Sequence, residues 1–180
     1  MQNSYILGLL GLGLILVLAA CSSRKADDRL SGDKMKALLV EIHEDAQVSA
    51  NSVIFELRER ELMMVFDENA DRMRVMTPVA PAASVGPETY LRMLQANHDA
   101  VLDPRYSIAN DIIWATFIHK LSSLTEEDFL SAIAQCYTSA ETFGSSYTSG
   151  ALIFGGGDSN SIHEDLMEEL EKATAPGKDI

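Results

Sequence analysis

Histidines are the first candidates for chemistry in this sequence, because imidazole titrates near neutral pH and binds transition metals. His98 stands next to Asp99, so a catalytic pair is one interpretation, and His119 closes an apolar stretch. Neither has a nucleophile or an oxyanion motif beside it, which favours a capping or packing role for His98 and a strand-end position for His119. A small hydrolase or metal-dependent enzyme that uses His98 or His119 remains the alternative interpretation.

Three other patterns resemble ligand sites only superficially. His43 is close in sequence to Glu41 and Asp45, but on a helix these three do not share a face, so a solvated helix surface is expected. The acidic run 67–71 lacks the glycine and the terminal glutamate of a calcium loop, which favours a plain solvated turn. The glycines at 155–157 lack the lysine of a P-loop, and we expect a flexible hinge there. The sequence therefore predicts no metal site and no bound cofactor.

The net charge limits the kinds of partner that the chain is expected to bind. The chain has 14 Lys and Arg against 27 Asp and Glu, a formal net charge of −13. An acidic surface repels phosphate backbones, so nucleic acid is not expected to bind. The length of 180 residues favours a single domain.

The N-terminus suggests covalent anchoring. Residues 5–20 form an apolar run of signal-peptide length, shorter than the ~20 residues of a spanning helix. Leu18-Ala19-Ala20-Cys21 resembles the lipobox of bacterial lipoproteins, in which a diacylglyceryl group is added to the cysteine and the chain is cut before it. The resemblance implies a signal peptide at 1–20 and lipidation of Cys21, although residues 1–4 lack the usual Lys or Arg. An uncleaved membrane anchor with a free Cys21 remains the other possibility.

The same resemblance implies a location. Ser22 stands where some lipoproteins carry an aspartate that retains them in the inner membrane, so the expected place is the cell envelope, anchored to the outer membrane and facing the periplasm. Residues 21–32 are polar and charged, which is typical of a tether. A lipidated Cys21 also leaves Cys136 without a disulfide partner.

Helices and strands alternate through the middle of the chain. Asp33 is a candidate N-cap, and helical spacing follows it at Met35, Leu38, Leu39, Ile42 and Ala46. Extended segments are predicted at 53–57, 61–66, 73–79 and 105–109, with a tight turn at Asn110-Asp111. Between them, Pro87 is suited to the first position of a helix that runs towards Asn97.

Ile112 to Ile118 is the strongest strand signal, with β-branched and aromatic residues on both faces. A strand that is apolar on both faces is usually central and covered on both sides. Trp114 is accordingly expected in the core.

Two later helices are marked by capping boxes. Thr125 and Asp128 predict a helix from Glu126, which Gly144 ends as a C′ glycine. Its core stripe is Phe129, Ile133, Cys136, Ala140 and Phe143. The second box, at 161–164, predicts a short acidic helix with Ile162, Leu166 and Leu170 on one face.

These elements predict an α+β fold, with helices packed on an antiparallel sheet of about five strands in the order α-β-β-β-α-β-β-α. The arrangement resembles the YbjN family of bacterial proteins, whose fold is similar to that of type III secretion chaperones. The segments that carry the resemblance are Glu61–Val65, Asp71–Met76, Ile113–His119, Leu121–Thr125 and Thr142–Gly144. The domain is expected at 33–155, followed by a glycine hinge and an acidic helix or tail at 156–180.

The resemblance implies fold more than function, and the YbjN family provides no catalytic residues to transfer. It implies a non-enzymatic module that binds a protein or regulates an envelope process, and related folds often form homodimers. Usual members of the family lack a lipobox. The expected partners are therefore the membrane, through the lipid on Cys21, an unidentified protein, and a second copy of the chain.

Overall fold

The computed structural model describes residues 29–144 and 158–175 of the chain. In chain order the helices and strands are α1 (Gly32–Ile42), β1 (Gln47–Val48), β2 (Ser52–Leu57), β3 (Arg60–Asp67), β4 (Arg72–Pro81), α2 (Pro87–Asp99), β5 (Arg105–Ala109), β6 (Ile112–His119), α3 (Glu126–Glu141) and α4 (Asp158–Thr174). None of the described helices is long and apolar enough to cross a membrane. The apolar run 5–20, Cys21 and the glycines 155–157 lie outside the described residues.

The strands form one antiparallel sheet in the order β1-β2-β3-β4-β6-β5. The predicted α+β class and the five predicted strands are confirmed. A sixth strand, β1, adds two residues to the β2 edge, and two residues are too few to produce a recognisable alternation.

Two tight turns join neighbouring strands without glycine. Arg58 and Glu59 connect β2 to β3 with φ of 47° and 66°, and Asn110 and Asp111 connect β5 to β6 with φ of 50° and 59°. Positive φ at both central residues matches the right-handed twist of a hairpin. The tight turn predicted at Asn110-Asp111 is confirmed.

The helices cover one face of the sheet. Alternate strand residues point towards them and are buried: Val53, Phe55, Leu57, Leu62, Met64, Phe66, Met73, Val75, Ile113, Ala115 and Phe117. The middle of α3 lies against these side chains and is buried from Ala132 to Ala140. Burial of this apolar area, at about 25 cal/mol per Å², is the main stabilising contribution to the fold.

The α3 helix begins as the sequence predicts. The Thr125 hydroxyl accepts from the Asp128 amide at 3.1 Å, and the Asp128 carboxylate accepts from the Thr125 amide at 3.2 Å. The helix ends at Glu141, earlier than its apolar stripe suggests, so Phe143 packs from beyond the helix. Gly144 has φ +83° and lies two residues after the C-cap, rather than directly at C′.

The first helix differs at both ends from the prediction. Ser31, not Asp33, is the N-cap, because its hydroxyl accepts from the Lys34 amide at 3.3 Å. Asp33 lies in the first turn and pairs with Lys36 at 2.8 Å. The helix ends at Ile42, so Ala46 belongs to the turn that follows.

The C-terminal helix α4 is longer than its capping box predicts. It begins at Asp158, which places Ser161 inside the helix and not at its cap. Leu166 and Leu170 are buried in the main core, and Ile162 is partly buried against it. The helix packs against α1 and α3, so the acidic C-terminal segment is docked on the domain.

Candidate protein-binding surfaces

His98 and His119, the histidines considered for chemistry, are not part of a metal site in the described residues. His98 is exposed in the last turn of α2, and the side chain of its neighbour Asp99 is outside the described residues. His119 ends β6 as predicted. Its Nδ1 lies 2.9 Å from the Lys120 carbonyl oxygen, and its ring stacks on Phe117 with centroids 6.0 Å apart. Within 29–144 and 158–175, no three His, Cys, Asp or Glu side chains are placed to hold a metal ion.

His43 is the histidine that the sequence places wrongly. It is the C-cap of α1, and its ring stacks on Phe55 with centroids 5.0 Å apart. Its Nε2 is buried without a hydrogen-bond partner, whereas the sequence predicted a solvated helix surface. Burial lowers the pKa of His43, and the nearby Glu169 carboxylate opposes this in part. The helix ends at Ile42, and His43 follows it with extended backbone angles.

A cleft of about 480 Å³ opens beside His43, where β1 stops short along the edge of β2. The residues that line it are His43, Glu44, Asp45, Ala46, Gln47, Ile54, Phe55, Glu56 and Glu61. Glu56 and Glu61 are directly opposite each other in the β2–β3 ladder. Like charges in that position repel, so this edge of the sheet carries unbalanced negative charge.

The second face of the sheet carries an apolar strip that the described helices leave uncovered, and one charged residue, Arg74, lies in it between Val65 and Ile118. In one cross-strand row, Ile54 lies opposite Met63, Met63 opposite Met76, and Met76 opposite Thr116. Val65, Ile112, Trp114 and Ile118 extend the same face. All these side chains are partly or largely exposed, and those that are apolar belong to neither buried core cluster of the described chain. We call this surface the open face.

The open face corrects two predictions about β6. The strand is next to last in the sheet, and only Ile113, Ala115 and Phe117 point into the core. Trp114 is half-buried on the open face, where its indole nitrogen donates to the Ala109 carbonyl at 3.1 Å. An apolar sheet face that no described element covers is typical of a surface that binds another protein.

A second apolar surface lies on α2 and β5. Leu91 and Leu94 on α2 are 58% and 62% exposed, and Ile108 on β5 is 49% exposed. Exposed leucines on a helix packed beside an edge strand form a patch that a second protein surface can bury. We call these three residues the α2–β5 patch.

Cys136 is unsuited to chemistry, in agreement with the sequence. The thiol is fully buried in α3, and its Sγ lies 3.3 Å from the Val75 carbonyl oxygen. Burial raises the pKa of Cys136, which keeps the sulfur in its unreactive thiol form.

Comparisons with known proteins identify the fold of the chain and do not identify its function. No protein-family model matches the chain, and no curated protein matches it in sequence. A chain from the structure of the ExsC–ExsE complex aligns with a TM-score of 0.53 at 14% identity, covering 67% of this chain and 98% of that one. A chain from the HopA1–SchA chaperone–effector complex aligns with a TM-score of 0.48 at 11% identity, covering 61% of this chain and 91% of that one. The alignment with the chain from the ExsC–ExsE complex supports the predicted fold, which is that of the type III secretion chaperones.

Proposed function

We propose that this chain is a lipid-tethered, non-enzymatic protein-binding module with a chaperone-like role of the YbjN type. The observation that carries the proposal is the open face. Strand β6 is apolar on both sides, yet the described helices cover only the side of Ile113, Ala115 and Phe117. A partner segment with apolar side chains that packs on Met76, Trp114 and their neighbours would complete the second side.

The composition of the open face suits an adaptable contact. Met63 and Met76 are adjacent across two strands, and methionine side chains adjust their shape to different partners. Trp114 adds a large flat side chain of the kind that dominates binding energy at interfaces. A chaperone-like module gains from both properties, because it must hold segments that have not yet adopted their own fold.

The tethering part of the proposal rests on the lipobox resemblance. An acylated Cys21 with more than one acyl chain gives stable attachment to a bilayer. The polar residues 22–32 would then hold the domain at the membrane surface, in the envelope and facing the periplasm. Ser22 favours the outer membrane over the inner one.

The α2–β5 patch is the proposed interface for a homodimer. An interface between identical copies is self-complementary, and Leu91 and Leu94 sit one turn apart on one helix. Two such helices packed antiparallel place Leu91 of one copy beside Leu94 of the other. This arrangement leaves the open face of each copy free for a partner.

The test of the open face uses a matched pair of variants. Ile118 on the open face is 53% exposed, and Val40 on α1 is 43% exposed, so glutamate at either position leaves the core intact. Proteins that co-purify with the wild-type domain from native membranes are identified and then prepared in pure form. We expect Ile118→Glu to weaken their binding at least tenfold and Val40→Glu to leave it unchanged.

Trp114 provides a direct readout, because it is the only tryptophan in the chain. A partner that covers the open face should shift its emission to shorter wavelength. His98→Ala and His119→Ala should leave binding and phenotype intact. If either histidine change abolishes the phenotype while binding stays at wild-type strength, the chain is an enzyme and the proposal is wrong.

The anchoring is tested separately. Cys21→Ser should leave an uncleaved precursor and remove all incorporation of labelled palmitate. Ser22→Asp, the matched change one residue later, should retain the label and move the protein to the inner membrane. A mature N-terminus elsewhere than Cys21 would contradict the lipoprotein assignment and leave the binding module untouched.

A further inference from the structure

The docking of α4 on α1 and α3 depends mainly on apolar side chains. Leu166 and Leu170 are buried, and Ile162 and Met167 pack partly against the same core. Arg58 in the β2–β3 turn forms an ion pair with it, between Arg58 Nη2 and Glu169 Oε2 at 2.7 Å, with both side chains substantially exposed. Exposed pairs contribute little, about 0–1 kcal/mol. Apolar packing therefore holds most of this helix on α1 and α3.

Two histidines at or near α4 each have one buried ring nitrogen. His43 Nε2, at the end of α1, and His163 Nδ1, on α4 itself, are buried without hydrogen-bond partners. Burying an imidazole nitrogen in its neutral form costs some hydrogen bonding to water, and burying a protonated imidazole costs much more. By contrast, His98 is exposed, and His119 Nδ1 has the Lys120 carbonyl oxygen within 2.9 Å.

The charges around each buried ring do not compensate for its burial. His43 faces Glu169 from α4, but that carboxylate is already paired with Arg58 of the β2–β3 turn. The other charged groups that line the cleft beside His43 are Glu44, Asp45, Glu56 and Glu61. His163 has the neighbouring Glu164 on its own helix. For both rings desolvation outweighs these carboxylates, and the pKa is lowered from 6.5.

We propose that α4 is a pH-sensitive latch, released from α1 and α3 when His43 and His163 become protonated at mildly acidic pH. The docked helix holds both rings neutral, whereas the undocked helix leaves them in water, where they take up protons more readily. Acidification below about pH 6.5 thus favours the undocked state. Release exposes the apolar surfaces of α1 and α3 beneath Leu166 and Leu170.

The direction follows from proton linkage. A histidine whose pKa is lower in the docked state binds fewer protons there, so docking loses stability as pH falls through that pKa. Each such histidine changes the docking equilibrium by up to about tenfold per pH unit in this range. Two histidines that act together produce a steep transition. This latch is independent of the partner proposed for the open face.

The experiment is hydrogen exchange of the full chain at pH 7.5 and 5.5, corrected for the intrinsic pH dependence of exchange. The amides of α4 report release, and those of α3 report global unfolding. Between the two pH values we expect α4 protection in the wild type to fall at least tenfold relative to α3. In His43→Gln/His163→Gln the fall should be under twofold, and in the matched control His98→Gln/His119→Gln it should equal that of the wild type.

A second measurement is needed if α4 is already undocked at pH 7.5 in the glutamine variants. Ring resonances of His43 and His163 in the wild type are followed by NMR, and their midpoints should lie below pH 6.5 and coincide with the loss of α4 protection. The latch would be overturned if α4 protection did not change between the two pH values, or if α3 lost as much protection as α4. It would also be overturned if the variant without the two histidines lost as much α4 protection as the wild type, or if the ring midpoints lay above pH 6.5.

Discussion

The side-chain amide of Asn97 bonds both backbone groups of Tyr106. Its Oδ1 accepts from the Tyr106 amide at 2.7 Å, and its Nδ2 donates to the Tyr106 carbonyl at 3.1 Å. Tyr106 is the second residue of β5, one of the two edge strands of the sheet. An exposed edge invites pairing with another chain, and Asn97 occupies the place that a neighbouring strand would take. Pairing of another strand with β5 at Tyr106 is thereby blocked.

Asn97→Leu tests this blocking role. The variant leaves two backbone groups of Tyr106 without their partner, so we expect a loss of about 1–3 kcal/mol in the free energy of unfolding, measured with urea. It should also form larger assemblies at high concentration through the opened edge. Gln95→Ala, an exposed change on the same helix, is the control and should do neither. Wild-type stability and size for Asn97→Leu would show that the edge is closed by other means.

The α2–β5 patch, as the proposed homodimer interface, leads to a prediction about the mass of the protein in solution. Leu91→Asp/Leu94→Asp places four carboxylates in a two-fold interface, which should convert a dimer into a monomer by light scattering. The free energy of unfolding of the monomer should change little, because both leucines are exposed. Val40→Asp on α1 is the control and should leave the dimer intact. A wild-type protein that is still monomeric at roughly 100 times the concentration used for binding would remove the patch as an interface.

Cys136 is predicted to be an inert thiol. In the Cys21→Ser background it is the only cysteine, so a soluble alkylating reagent reports on it alone. Ser123→Cys adds an exposed thiol to the same background and provides the reference rate. We expect Cys136 in the native protein to react on the order of 100 times more slowly than the thiol introduced at position 123, because reaction requires opening of the core. Equal rates would mean that α3 exposes this thiol.

The sequence predicts where the helices and strands lie better than it predicts which of their faces are buried. Periodicity and capping boxes are local signals, so α3 and the five longer strands are found at nearly their true positions. Whether the second face of β6 is covered depends on residues far away in the chain, and its apolar sequence cannot distinguish a buried face from a binding face. Trp114 was assigned to the core for that reason.

The position of His43 could not be predicted for a related reason. Its neighbours Glu41, Glu44 and Asp45 favour a solvated helix, and no local signal indicates that α1 ends at Ile42. The burial of its ring depends on Phe55 from β2, which is a contact between distant segments. The open face and the α4 interface are therefore findings of the structure, and they carry the functional proposals.

Gly32 and Phe66 give the sharpest prediction about stability. A Cβ added at Gly32 would lie 2.2 Å from Phe66 Cε2, far inside van der Waals contact, and the phenyl ring is packed in the main core. Alanine normally favours a helix over glycine by up to about 1 kcal/mol. Here we expect the clash to win, so that Gly32→Ala lowers the free energy of unfolding by about 1–3 kcal/mol.

A control and a rescue make this prediction specific. Gly86, the N-cap of α2, has no atom within 4 Å of an added Cβ, so Gly86→Ala should cost less than about 1 kcal/mol. Phe66→Leu removes the ring that the added methyl group would strike, and the loss in the Gly32→Ala/Phe66→Leu double variant should be smaller than the sum of the two single losses. The measurement is urea unfolding followed by circular dichroism. Additive losses, or a Gly32→Ala variant as stable as the wild type, would show that α1 moves away from β3 without cost.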